Sequence, residues 1–216
     1  MMLQEKQPAI AKEGYVFIGI GMIITLFCYV AMGERGAIFP ALLTLFCAWF
    51  FRDPKRTVPK EAGLLVSPAD GKVVDVTRVE EGRFLNKPAV KVSIFLNVFN
   101  VHVNRVPIAG KVVDVFYNPG RFFAANVPKA SLENEQNAVL METSTGKKIV
   151  CIQIAGLIAR RIVCWVKKGG DLERGERFGL IRFGSRVDLF LPPEADIRIT
   201  KGDKVKAGET VLGFLR

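Results

Sequence analysis

Two long apolar runs open the chain, and a far more finely punctuated pattern follows them. No charged residue falls between Gly14 and Met32, a run just long enough to cross a hydrocarbon core as a helix. The polar tetrapeptide Gly33-Glu34-Arg35-Gly36 interrupts it, and a second uncharged run extends from Ala37 to Phe51. The second run is short for a full span and contains Pro40, which suits a tilted, re-entrant or interfacial segment. Residues 1–51 therefore read as an apolar helical hairpin that anchors the chain to a membrane. From Phe50 to Pro59, apolar residues give way to charge and two prolines, the composition of a linker.

Beyond the linker, residues 52–216 read as one domain of short strands and turns. Lys72 to Val79, Val90 to Phe95, Lys111 to Tyr117, Ala138 to Glu142, Lys148 to Ile154, Ile162 to Val166, Arg186 to Phe190 and Thr210 to Leu215 are rich in Val, Ile and Phe, and several alternate apolar with polar. Only Lys129 to Asn137 has a helical look. Two internal echoes add to the pattern. Gly71-Lys72-Val73-Val74-Asp75-Val76 returns as Gly110-Lys111-Val112-Val113-Asp114-Val115, and Gly170-Asp171, Gly175-Glu176 and Gly179 are answered by Gly202-Asp203, Gly208-Glu209 and Gly213. Such Gly-Asp turns resemble the hairpins of lipoyl and biotinyl domains. The expected class is mainly β: an N-terminal apolar helical hairpin followed by a barrel-sandwich-hybrid-like domain with two related halves.

Charge narrows the choice of partner. The formal net charge is +10, and clustered Lys and Arg are drawn to the anionic cytoplasmic leaflet. Nucleic acid is the rival partner for a basic protein, but the chain has no recognition-helix pattern and no interleaved stripe of aromatic and basic residues. Lys6 and Lys12 precede the hairpin, and Arg52, Lys55, Arg56 and Lys60 follow it. Both ends are thus expected on the cytoplasmic side, with the hairpin a retained anchor and not a cleaved signal. Cys28, Cys47, Cys151 and Cys164 lack metal-ligand spacing and read as small apolar fillers.

Three residues carry candidate chemistry. Gly184-Ser185 lies between two arginines, Arg182 and Arg186, and between two apolar runs. It is either a plain strand kink or a reactive peptide bond, with the Ser185 hydroxyl facing the Gly184 carbonyl. His102, the only histidine, shares a strand face with Asn100 and Asn104 and could move protons near neutrality. Asp70, in Ser67-Pro68-Ala69-Asp70-Gly71, either shapes a turn or supplies the carboxylate of a serine-activating set. Spacing does not prove that the three converge.

The ordered strings Phe51-Arg52-Asp53-Pro54, Ser67 to Gly71, Asn97 to Arg105, Lys129-Ala130-Ser131 with Asn134-Glu135, and Phe178 to Ser185 closely resemble the short type of phosphatidylserine decarboxylase proenzyme. Longer members carry Gly-Ser-Thr at the cleavage point and a second histidine where this chain has Arg186 and Arg105. The resemblance implies self-cleavage into a β chain 1–184 and an α chain 185–216, with Ser185 converted to a pyruvoyl group. Asp70 and His102 would activate the serine. Decarboxylation of phosphatidylserine to phosphatidylethanolamine would run through a Schiff base, without metal or pyridoxal phosphate. Arg105, Arg160, Arg161 and Arg182 are candidates to hold the substrate's anions. The expected setting is the cell membrane, with the catalytic domain cytoplasmic, no nucleic acid partner and an oligomer of αβ units. Two other readings stand beside this one: a lipoyl-like membrane adaptor or carrier without catalysis, and a decarboxylase of a related serine phospholipid such as archaetidylserine.

Overall fold

The computed structural model describes residues 8–120, 134–156, 161–182 and 184–215. Two compact units make up the chain, Met1–Lys55 and Arg56–Arg216.

In the first unit, helix α1 (Lys12–Phe50) is broken at Gly33, whose φ of 73° and ψ of −168° are not helical. The two halves fold back on each other as a hairpin, as the sequence predicts. A side chain at Gly14 would collide with the Phe51 ring and one at Gly21 with Thr44, so glycine is what lets the helices touch. Phe17 stacks on Phe51 at 5.4 Å. Ala11 N–H donates to the Phe51 carbonyl and Asp53 N–H to that of Ala9, both at 2.8 Å, which closes the open end. Facing outward are Ile23, Phe27, Val30 and Phe39, with Phe27 71% and Phe39 76% exposed. So large an apolar surface is tolerable in lipid and costly in water.

Among the described residues, the second unit has fourteen strands: β1 (Leu64–Val66), β2 (Gly71–Glu81), β3 (Lys87–Leu96), β4 (Val103–Arg105), β5 (Gly110–Asn118), β6 (Gln136–Glu142), β7 (Lys148–Ala155), β8 (Ile162–Cys164), β9 (Asp171–Leu172), β10 (Arg177–Ile181), β11 (Ser185–Leu191), β12 (Asp196–Ile197), β13 (Lys204–Val205) and β14 (Val211–Phe214). They form one eight-stranded sheet, β13-β2-β3-β11-β7-β6-β5-β9, and two three-stranded sheets, β1-β14-β12 and β4-β10-β8. The domain is mainly β, as expected.

The sequence echoes mark a structural duplication. In the first lobe, β13-β2-β3-β11 and β1-β14-β12 correspond strand for strand to β9-β5-β6-β7 and β4-β10-β8 in the second. Register agrees: Val205 faces Gly71 as Leu172 faces Gly110, with a bulge between Val73 and Asp75 matched by one between Val112 and Asp114. Likewise Gly213 faces Leu65 and Ile197, as Gly179 faces Asn104 and Cys164. Close backbone approach explains why these echoed positions are glycine. A Cβ at Gly71 or Gly110 would strike the carbonyl of Phe95 or Glu142, and one at Gly213 or Gly179 that of Asp196 or Val163.

The lobes are not sequential. The second, β4 to β10, is inserted into the first, which is made of β1 to β3 and β11 to β14. The chain therefore crosses between lobes twice, between Leu96 and Val103 and again between Ile181 and Ser185.

One element differs from expectation. Gln136 and Asn137, placed at the end of a helix by the sequence reading, begin β6 and pair with Ile154 and Gln153 of β7; residues 129–133 lie outside the described residues. Pairing with a central strand overrides the local propensity.

Cys151 is fully buried in the main core beside Val139 and Leu189. Burial, reinforced by the Asp188 carboxylate, pushes its thiol well above the ordinary range. Peptide mapping after exposure of the native protein to a thiol reagent at pH 8 is expected to leave Cys151 unmodified, and modification to require denaturant. Rapid labelling in the folded state would contradict the core placement.

Candidate active site

The two crossings run side by side. Ser185, the first residue of β11, pairs with Leu96 at the end of β3 and with Ala155 at the end of β7. At the other end, Ile181 N–H donates to the His102 carbonyl at 3.3 Å. The strand that begins at Ser185 and the loop that ends at His102, just before β4, are thus tied to neighbouring chain at these two points.

Ser185 is fully buried, and its Oγ has no hydrogen-bond partner among the described residues. A buried hydroxyl left without a partner costs free energy, which marks the position as kept for a reason other than stability. Gly184 before it has a φ of 65°, with open space where a Cβ would stand. The backbone angle, and not crowding, calls for glycine there.

His102 is fully buried. Its Nδ1 lies 3.0 Å from the Asn100 carbonyl oxygen; since a carbonyl only accepts, Nδ1 carries the proton and Nε2 is the basic nitrogen of the neutral ring. The loop that presents it is tied by its own asparagines. Asn97 N–H donates to Asn100 Oδ1, Phe99 N–H to Asn97 Oδ1 and Asn100 N–H to the Asn97 carbonyl, at 2.9, 2.9 and 3.0 Å. The Asn-x-x-Asn spacing before His102 was the available signal for this device.

Asp70 is held differently from the sequence reading. Both its oxygens accept from Arg56 Nη2 at 2.9 Å, and Oδ1 also accepts the Ala207 N–H at 2.8 Å. His102 is oriented by a carbonyl and Asp70 by a guanidinium, so the two are not directly bonded. Asp70 still lies close in the fold: Gly71 rests on the Phe95 carbonyl, and Pro68 of the same turn accepts the Arg105 N–H. Arg56, counted above among bases that face the membrane, has a side chain only 6% exposed and is committed to this pair.

The candidate arginines separate. Arg105 is 2% exposed and donates through Nη1 to the Gly175 carbonyl at 3.0 Å. Arg161 is exposed and Arg182 half-buried, and Arg182 N–H donates to the Arg161 carbonyl at 3.3 Å, so these two meet at the second crossing. Arg160 lies outside the described residues.

A row of buried amides was not foreseen, because Asn and Gln in a sequence read as surface residues. Asn137 Nδ2 donates to Gln153 Oε1 and Gln153 Nε2 to Asn104 Oδ1, each at 2.9 Å. Residues directly opposite in an antiparallel pair share a face. The pairs Ser185–Ala155, Val187–Gln153 and Gln153–Asn137 therefore put Ser185, Gln153 and Asn137 on the same inner face. Beside it, Asn134 Nδ2 donates to the Ala155 carbonyl at 2.7 Å and fixes the strand end that flanks Ser185.

The site thus presents a buried serine oxygen with no hydrogen-bond partner among the described residues, on a residue paired with strands on both sides. Residues 43–213 match the family profile described as phosphatidylserine decarboxylase. The chain is 54% identical over 205 residues to a phosphatidylserine decarboxylase proenzyme of Syntrophus aciditrophicus, covering 94% of this chain and 96% of the relative. It is 52% identical over the full length of both chains to the proenzyme of Syntrophotalea carbinolica. For the proenzyme of Geotalea uraniireducens the identity is 48% over 213 residues, with 99% and 100% covered.

Proposed function

This chain belongs to the phosphatidylserine decarboxylase family, and from that premise we propose that it cuts itself between Gly184 and Ser185 and converts phosphatidylserine to phosphatidylethanolamine and CO2. Membership removes the non-enzymatic carrier reading. The observation that carries the proposal is the buried Ser185 Oγ, without a partner among the described residues, directly after a glycine of positive φ.

In the first stage, His102 Nε2 takes the Ser185 proton and Oγ adds to the Gly184 carbonyl carbon. Expulsion of the Ser185 nitrogen turns the amide into an ester. Loss of the Ser185 Cα proton then expels the Gly184 carboxylate, and water replaces the nitrogen of the resulting dehydroalanine, releasing ammonia and leaving a pyruvoyl group. Asp70 assists by fixing the turn whose Pro68 carbonyl holds the histidine's strand, with Arg56 keeping the carboxylate in place.

A pyruvoyl group at position 185 would be held by the pairing of β11 with β3 and β7, and would supply a ketone able to take up the electron pair left by CO2. His102 returns the proton to the carbon that CO2 leaves. Arg161 and Arg182, at the mouth of the crossing, suit the substrate's phosphodiester, whereas Arg105 braces the Gly175 turn. The apolar hairpin anchors residues 52–216 to the membrane with the catalytic domain on the cytoplasmic side, the side of its basic flanks.

Intact-mass measurement of the purified protein is expected to show two chains split between Gly184 and Ser185, the second with a ketone in place of its amino terminus, together with release of carboxyl-labelled CO2 from phosphatidylserine. One unmodified chain that is inert toward this lipid would defeat the proposal.

A further inference from the structure

The row of buried amides ends in a donor with nothing to donate to. Asn137 fixes Gln153 by giving a hydrogen to its Oε1, so Gln153 must present Nε2, and that nitrogen claims Asn104 Oδ1. Each amide therefore dictates the orientation of the next. The last group in the row, Asn104 Nδ2, is buried and has no partner among the described residues. Asn104 is itself fully buried. The fold makes room for this arrangement: a Cβ at Gly179, opposite Asn104, would lie 2.8 Å from Gln153 Nε2. A buried N–H left open costs free energy, and one at the end of this row of amides points to an acceptor brought from outside.

Position tells which acceptor. Asn104, in β4, lies two residues after His102, and it reaches Gln153, which is level with Val187. Val187 is two residues beyond Ser185, about 7 Å along the strand and on the side away from Gly184. The Gly184 carbonyl is thus on the wrong side for this donor. A small group held at Ser185 and extending inward along this face is directed toward Gln153 and its partner Asn104.

We propose that Asn104 Nδ2 donates a hydrogen bond to the carboxylate of the bound serine head group, and so orients the bond that breaks. The proposal rests on the decarboxylase reading above. A neutral donor suits the task, because it fixes the carboxylate without the full charge pairing that would favour the ground state over loss of CO2. The head group then enters with its carboxylate inward and its phosphodiester outward, toward Arg161 and Arg182.

The test uses the full-length parent protein, Asn104→Asp and Gln153→Glu. The first variant puts an oxygen where the N–H stands. The second makes position 153 an acceptor, so that the Asn104 amide turns over and offers Oδ1 while Asn104 itself is intact. Both are expected to self-cleave as completely as the parent on a denaturing gel, and to bind dihexanoyl-phosphatidylethanolamine, which has no carboxylate, with parental affinity by calorimetry. Their kcat/KM for phosphatidylserine should fall about 100-fold, the scale of a hydrogen bond to a charged group together with the repulsion that replaces it. Parental kinetics in either variant would overturn the proposal and leave the amide a packing element. Full-length chain accumulating in both would also overturn it, by assigning the donor to self-cleavage, as would loss of affinity for the carboxylate-free lipid. If the parent itself neither cleaves nor decarboxylates, the underlying functional reading fails, and that outcome is distinct from all of these.

Discussion

Ser185→Ala yields a single chain of 23.9 kDa that never separates into fragments, shows no decarboxylation, and is at least as stable as the parent. The catalytic half follows from the loss of the hydroxyl proposed to attack Gly184: knocking out the nucleophile of a serine-based centre costs on the order of 10⁶-fold. The stability half follows from burial. Ser185 Oγ has no partner among the described residues, so its removal takes away an unpaid desolvation cost of about 1–3 kcal/mol and leaves β11 paired on both sides. Urea unfolding of the purified variant, run beside His102→Ala, separates the two effects. His102→Ala should also accumulate the full-length chain. A Ser185→Ala protein that still cleaves, or one that unfolds at markedly lower urea, would refute the assignment of Ser185 as a nucleophile held ready at the cost of stability.

The second large effect is structural. Asp70→Ala leaves the Arg56 guanidinium, 6% exposed, with only the longer contact of its Nη1 to Glu209 Oε2 at 3.5 Å, and the Ala207 N–H without its acceptor. Breaking a buried pair by removing one partner costs about 3–5 kcal/mol, a large share of the stability of a domain this size. The expected result is a sharply lower denaturation midpoint together with incomplete self-cleavage. Arg56→Met should cost less, since a carboxylate at this edge can still accept from Ala207. The double variant should recover part of the loss, because neither charge is then stranded. Strictly additive losses in this cycle would mean that the pair does not couple. Asp70→Asn that is stable but uncleaved would separate the carboxylate's part in chemistry from its part in folding.

These expectations draw on features of unequal visibility in the sequence. The hairpin was legible because uninterrupted apolarity has few other uses, and its break at Gly33 was signalled by the polar tetrapeptide. The duplication was legible because close backbone approach admits only glycine, so Gly71 and Gly110, or Gly179 and Gly213, recur as a pair of fingerprints. Strands of two or three residues, such as β9 and β13, left no periodicity to read. Ser185, His102 and Asp70 stood out by residue type and family resemblance. Arg56 did not, since a base after an apolar run looks like a membrane flank, and only the fold turns it toward Asp70. The amide row was equally hidden: Asn104, Asn137 and Gln153 acquire meaning only when three separate strands are laid side by side, and the swap of carboxylate for carbonyl beside His102 is likewise a matter of three-dimensional placement.

The insertion of one lobe into the other alters what scission does to the energetics of the molecule. Residues 185–216 hold a central strand, β11, and also β12, β13 and β14 of the first lobe, so under the proposed cut the fragment freed at its covalent end would stay threaded through its parent. Before the cut, unfolding is unimolecular, and a chain that opens can close again. After it, recovery becomes a second-order encounter between two pieces, and a pyruvoyl group lost from the separated pieces has no uncut serine from which to be remade. The proposed cut would thus convert an equilibrium stability into a kinetic one, with the working life of the enzyme set by how slowly β11 leaves the sheet.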